Sequence, residues 1–264
     1  PPIHQFIYEV PREEKFPLLL SCLAEQKPES AIVFCNLKIT VAELAEALEN
    51  SGVSSASLHG DLDQNDRDRV MAKFRNGSVR VLVATDVAAR GIDVADLDLV
   101  VNYELPKPDI YVHRIGRTGR AGKSGVAISF LSSGEGYKVR LIEEKTGNKL
   151  EVVKAPENPV TAPEETPREA KMVTLYIGGG RKDKMRPGDI LGALTGEAGG
   201  LSAAQVGKIE IHDRFAYVAV DKEIAESALE ALRNGKIKGR KFRCEMVLWR
   251  LRAVELHEIH QAIE

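Results

Sequence analysis

An alternation in the first 150 residues constrains this chain more than any other feature. Five short apolar runs, AIVFC (31–35), SASLH (55–59), VRVLVAT (79–85), LDLVVNY (97–103) and GVAISFL (125–131), read as buried strands. Stretches of helical period lie between most of them. TVAELAEALENSG (40–52) is typical, with apolar residues recurring at three and four until Gly52 stops the helix. Near-continuous apolar strands separated by helices predict an α/β fold, a parallel sheet with helices on both faces. Ligands on such sheets sit at the carboxyl ends of the strands.

A break in composition then divides the chain. KAPENPVTAPEETPREA (154–170) has four prolines, few apolar residues and no period, so it reads as a semi-extended linker. The predicted organisation is a first domain over 1–153, the linker over 154–170, a second domain over 171–247 and a tail over 248–264. Charge separates the two domains. Residues 1–153 hold 19 Lys and Arg against 22 Asp and Glu, whereas 170–247 hold 14 against 10. Within the second domain, MVTLYIGG, GKIEIH, FAYVAV and KFRCEMV read as strands, and PGDILGALTG and KEIAESALEALRNG as helices. The order βαββαβ predicts a smaller α+β unit, an antiparallel sheet backed by two helices.

Several classes are set aside. No apolar run reaches the length of a membrane span, and the N-terminus lacks the order of a signal peptide. The abrupt Pro1-Pro2 reads as the start of a fragment. Cys22, Cys35 and Cys244 lie far apart without metal-ligand spacing, which predicts buried free thiols, no metal site and a cytoplasmic setting.

Functional residue types concentrate beyond the predicted strand ends. LHGDLDQNDRDRV follows one strand, VATDVAARGID ends another, and YVHRIGRTGRAG (111–122) packs His113, Arg114, Arg117 and Arg120 between glycines. Loops there suit binding groups and suit core charges badly. AGKSG contains Gly122-Lys123-Ser124 but lacks the earlier glycine of a P-loop, because Arg117 stands in its place; it reads as a turn.

In this order, the clusters resemble the C-terminal RecA-like domain of the DEAD-box RNA helicases over roughly residues 1–150. IVFCN is similar to motif IV, QNDR to motif IVa, VATDVAARGID to motif V and HRIGRTGR to motif VI. The resemblance implies that Arg117 and Arg120 are arginine fingers that stabilise charge on the phosphoryl group of ATP. It makes Asp93 the carboxylate that accepts from the ATP ribose and His113 the residue that couples the two RecA-like domains. Gly116 and Gly119 are expected to let phosphate approach closely. Arg67, the turn His59-Gly60-Asp61, with Gly60 the backbone contact, and Thr85 are implied to hold RNA phosphates without reading bases. Taken singly, Arg67 and Arg69 also fit a solvated helix face, and His59 a satisfied strand-end histidine. No true P-loop, Asp-Glu-Ala-Asp string or Ser-Ala-Thr motif occurs in these 264 residues. ATP with Mg is therefore expected to be held mainly by the N-terminal RecA-like domain of the same protein, and this chain alone is expected to be inactive.

LYIGG and RFAYVAV resemble the two RNA-contacting strands of an RNA recognition motif. Tyr176, Phe215 and Tyr217 are the candidate stacking aromatics, although Asp213 and Arg214 stand where the usual pattern has a basic residue and a glycine. The same rings also fit packing against a neighbouring segment. Two basic runs supply Arg181, Lys182, Lys184, Arg186, Lys236, Lys238, Arg240, Lys241 and Arg243 as candidate phosphate contacts. The combination of domains resembles the bacterial DbpA/YxiN subgroup, which implies a hairpin of large-subunit ribosomal RNA as partner and a role in ribosome assembly. A non-catalytic RNA-binding module or RNA chaperone, or a DNA helicase, remain the alternatives.

Overall fold

The computed structural model describes residues 3–90, 92, 94–119, 124–155, 171–196 and 199–247. Most of the proline-rich segment and the stretch from 248, Trp249 included, lie outside the described residues. Contacts divide the chain into two compact units, the second made of the chain from Lys171 onward, with Asn76–Ser78 grouped with it.

Among its described residues the first unit holds seven strands. β1 is Ile3–Glu9, β2 Ala31–Phe34, β3 Ser55–Leu58, β4 Val81–Ala84, β5 Leu99–Asn102, β6 Gly125–Leu131 and β7 Val152–Lys154. They form one parallel sheet in the order β3-β4-β2-β5-β6-β1-β7. The helices are α1 (Lys15–Gln26), α2 (Lys38–Asn50), α3 (Gln64–Arg75), α4 (Asp86–Ala89), α5 (Pro108–Ile115) and α6 (Gly136–Thr146).

Period-two alternation decides which face each helix covers. Val33, Val81, Val83 and Val101 point to the side where α1 and α2 bring Leu19, Leu23, Val41, Leu44 and Leu48. Ile32, Phe34, Leu82 and Val100 point the other way, to Met71 and Phe74 of α3. Farther along that face, α5 and α6 bring Tyr111, Ile115, Val139 and Ile142 against Ile7 and Ala127. Each such buried aliphatic side chain contributes about 1.5–3 kcal/mol. The doubly covered parallel sheet is thus as the sequence predicts.

Two strands escape the sequence pattern. β1 mixes His4, Gln5 and Glu9 with apolar residues, yet pairs with both β6 and β7. β7 has three exposed residues, and its last, Lys154, falls in the stretch that composition gives to the linker. All three cysteines are free and buried, and burial pushes the Cys22 and Cys35 thiols up to about 12. Among the described residues no helix is long and apolar enough to cross a membrane.

The second unit contains β8 (Met172–Ile177), α7 (Pro187–Thr195), β9 (Val206–Ile211), β10 (Ala216–Asp221), α8 (Ala225–Asn234) and β11 (Cys244–Met246). Its antiparallel sheet runs β11-β8-β10-β9, and Leu175, Ile177 and Val218 meet Ile190, Leu194, Ala228 and Leu232 of the two helices beneath it. The βαββαβ order is as predicted.

Candidate nucleic-acid and nucleotide interface

Register sets the first-domain residues side by side. Leu58 pairs with Ala84, Ala84 with Phe34 and Phe34 with Asn102, so β3, β4, β2 and β5 end level. His59, Thr85, Asn36 and Glu104 therefore leave the sheet along one edge. Thr85 has an extended backbone and caps α4, its Oγ1 accepting from the Ala88 amide at 3.4 Å. Arg67, on the first turn of α3, donates from Nη2 to the Ala88 carbonyl at 3.0 Å. The two predicted phosphate contacts thus meet at one residue of one short helix. Both are half-buried.

Beside them, the Asp61 amide donates to His59 Nδ1 at 3.3 Å, which satisfies that histidine locally. Asp61 is ion-paired with Lys38, whose hydrogen bond holds the carboxyl below its ordinary range. A Cβ at Gly60 would meet no atom within 4 Å. Packing does not demand glycine there, and the turn leaves bare backbone facing outward.

The first arginine of HRIGRTGR has a different place from Arg117. Arg114 is 1% exposed. Its Nε and Nη2 donate to the two Asp86 oxygens at 2.8 and 2.6 Å. Nη2 also donates to Asn36 Oδ1 at 2.8 Å, and Nη1 to Asn102 Oδ1 at 3.2 Å and the Glu104 carbonyl at 3.0 Å. The guanidinium lies 5.2 Å from the centre of the Phe34 ring. A buried charge is tolerable when a bidentate carboxylate and further acceptors meet its donors. Arg114 thereby ties IVFCN, VATD and HRIGR into one frame. Sequence reasoning missed this role. The available signal was polar Asn36, Asp86 and Asn102 at or just beyond the ends of apolar strands.

Arg117 is half-buried and donates from Nη1 to the carbonyls of Ile92 at 2.8 Å and Val94 at 3.4 Å. It therefore grips the backbone on either side of Asp93. Asp93 and Arg120 lie outside the described residues, as do Gly122 and Lys123 of AGKSG. Thr118 Oγ1 donates to the Leu97 carbonyl, and the Leu97 amide to the Arg117 carbonyl at 3.1 Å. These bonds fasten the loop to the chain entering β5. Gly119 has φ +71°, and a Cβ there would lie 2.6 Å from Ile3 Cγ1. Backbone conformation and packing against β1 each call for a glycine here. His113 is exposed and lines a small cleft with Asp86, Arg90, Ile110 and Arg117.

In the second domain, cross-strand register builds a row Glu245–Tyr176–Tyr217–Glu210 across the sheet face opposite the helices. Phe215 joins it, 5.3 Å from Tyr217 and 6.0 Å from Tyr176, and stacks on His212 at 4.6 Å. Tyr217 is only 3% exposed, so among the three candidate rings Tyr176 and Phe215 offer the accessible surface.

All nine cations of the two basic runs are exposed, and the runs meet. Lys238 Nζ donates to the Lys184 carbonyl at 2.8 Å, and Arg240 Nη1 to Asp183 Oδ1 at 3.3 Å. Lys238 and Gly239 form the tight turn between Ile237 and Arg240, at φ 53° and 75°. The first run is also fastened to the β9–β10 hairpin, through Arg181 and Lys182 amides donating to the His212 and Asp213 carbonyls, each at 2.9 Å. Gly180 is required at that junction, where a Cβ would lie 2.1 Å from the His212 carbonyl. The hairpin adds exposed Arg214 to the basic end, a cation the sequence reading did not count. Arg243 is the least available member, because Nε and Nη2 both donate to Glu245 Oε1, at 2.8 and 2.6 Å.

Replacing Arg114 by Ala should destabilise the first domain by about 3–5 kcal/mol, because Asp86 and the neutral acceptors lose their partner. Arg114→Lys should recover little, lacking the planar fork. Thermal unfolding followed on the first domain checks both, and a change within experimental error for Ala would remove the clamp from the account.

Comparison with known proteins gives the following similarities. The helicase conserved C-terminal domain family matches residues 14–122, and the DbpA RNA binding domain family matches residues 174–246. The ATP-dependent RNA helicase DbpA of Escherichia coli K12 is 49% identical over 248 residues, covering 94% of this chain and 53% of that protein. The chain spans about half the length of the curated relatives it matches. Among solved structures, the E. coli DEAD-box protein SrmB bound to regulator of ribonuclease activity A superposes with a TM-score of 0.54 at 36% identity, covering 58% of this chain and 91% of that one. Saccharomyces cerevisiae Dbp5 bound to RNA and ADP BeF3 gives a TM-score of 0.53 at 36% identity, covering 59% of this chain and 41% of that one.

Proposed function

The chain belongs to the DEAD-box family of RNA helicases and has the paired domains of its DbpA type, and from that premise we propose that it forms the second half of an ATP-dependent RNA-remodelling enzyme. One observation carries the reading. Arg67 and Thr85 converge on α4, and the same α4 is clamped through Asp86 and Arg114 to the helix that leads into Arg117. A strand of RNA held at Thr85, Arg67 and the bare Gly60 turn would bear on the element that positions the nucleotide-facing arginine.

Mg–ATP would be held mainly by the N-terminal RecA-like domain, with Asp93 taking the ribose and Arg117 and Arg120 the phosphates. The surroundings of Arg117 support that part. Arg117 donates to two neutral carbonyls, and a phosphate oxygen is the stronger acceptor, so the guanidinium can exchange one for the other as the two halves close. Exposed His113, which lines the same cleft as Arg117, would be the coupling contact to the N-terminal half.

The second domain divides recognition between an end and a face. The fused basic loops would grip phosphates, and Tyr176 with Phe215 would stack unpaired bases. A hairpin offers both, a charged stem and an unstacked loop. The target proposed is a hairpin of large-subunit ribosomal RNA, met in the cytoplasm during ribosome assembly.

Steady-state ATPase assays test the first part. The 264-residue chain should show no RNA-stimulated turnover, whereas the protein joined to its N-terminal half should, with Arg117→Ala lowering kcat about a thousandfold or more. Turnover by this chain alone would refute the half-site reading. Hairpin binding across a salt series tests the second. Lys182→Ala and Lys241→Ala should each weaken binding and reduce the salt slope by about 1, whereas Tyr176→Ala should weaken it by about 1–3 kcal/mol at unchanged slope. Unchanged slopes in both lysine variants would reject the basic end as the interface.

A further inference from the structure

The edge that carries Thr85 continues into an open groove that none of the motif roles uses. β4, β2 and β5 are neighbours, so Asp86, Asn36 and Leu105 follow one another along the carboxyl edge of the sheet and form one side of the groove. Tyr137 and Leu141 of α6 form the other, 50% and 46% exposed. Large apolar side chains left this open beside polar groups mark a surface shaped for a ligand.

The polar groups within it are fixed and neutralised. Both Asp86 oxygens are taken by Arg114. Asn36 Nδ2 and Lys138 Nζ each donate to the Leu105 carbonyl at 3.3 Å. Lys107 stands exposed on the rim. The groove thus offers a ring to stack on, aliphatic walls, a floor whose charges are paired within the chain, Lys138 with Glu135 among them, and the exposed Lys107 at the rim. A flat heteroaromatic ring attached to an anionic backbone complements all of these. Thr85 and the β5 end are two strand spacings apart, about 10 Å, a gap that adjoining nucleotides of one strand can bridge.

We propose that this groove takes one unpaired nucleobase of the RNA strand whose backbone is held at Thr85 and Arg67, with the base stacked on Tyr137. The inference rests on the strand-end reading of RNA binding given above. It adds a base contact to a surface otherwise equipped only for phosphates.

Site-resolved NMR titration of the 264-residue chain tests it, with affinity read from first-domain resonances alone. The probes are a short oligouridine and an abasic ribose–phosphate strand of equal length. Oligouridine should shift the Tyr137 ring and Leu141 methyl signals together with the Thr85 and Ala88 amides, and the abasic strand the amides only. Tyr137→Ala should weaken oligouridine binding about tenfold, and Tyr137→Phe should restore it. If the amides respond while Tyr137 stays silent, or Tyr137→Ala binds as tightly as the parent, the base site is wrong and the strand-end reading stands. If neither amides nor groove respond and Arg67→Ala changes nothing, both readings fall. A groove that ignores RNA but shifts with a peptide ligand would make it a protein-docking site and overturn the proposal.

Discussion

The buried guanidinium of Arg114 is the contact on which the rest of the first domain's site depends. Taking an arginine out of water costs several kcal/mol, and here Asp86, Asn36, Asn102 and a backbone carbonyl offset that cost by meeting its donors. Those partners come from the ends of three neighbouring strands. The fork therefore fixes where β2, β4 and β5 release their loops, and Thr85 directly precedes its partner Asp86. Lysine offers no such fork, which is why an arginine suits the position.

Arg114 and Arg117, two arginines of one dense motif, have unlike environments. Arg114 is buried in a clamp of side chains, Arg117 donates to the Ile92 and Val94 carbonyls, and Arg120 lies outside the described residues. Charge density in the sequence does not by itself distinguish them. Position on α5 separates the roles, because Arg114 faces the strand ends while Arg117 lies past the helix end at Gly116. The second domain separates functions in another way. Its cations gather where the loops meet at one end, and its aromatics lie on the sheet face between two glutamates.

Much of this was legible in the sequence because it is encoded locally. Apolar runs such as AIVFC fixed five strands of the parallel sheet, and alternation in LYIGG and RFAYVAV put Tyr176 and Tyr217 on one face. What stayed hidden depends on pairing between distant segments. β1 is a strand because β6 and β7 flank it, and nothing in IHQFIYE announces those neighbours. Arg114 reads like its fellow arginines until Asp86, 28 residues earlier, is brought to it. Burial of Tyr217 and the Arg243–Glu245 pairing likewise appear only once strands are in register.

If the clamp holds the loops as one frame, loosening it in one place must loosen all of them. Amide hydrogen exchange on the Asp86→Asn variant measures this directly, by comparing segments 31–37, 81–90 and 108–118 with the parent chain. The account predicts that exchange accelerates in all three together while the second domain is unchanged. Acceleration confined to 81–90 would contradict it, and would mean that the three motifs are held independently.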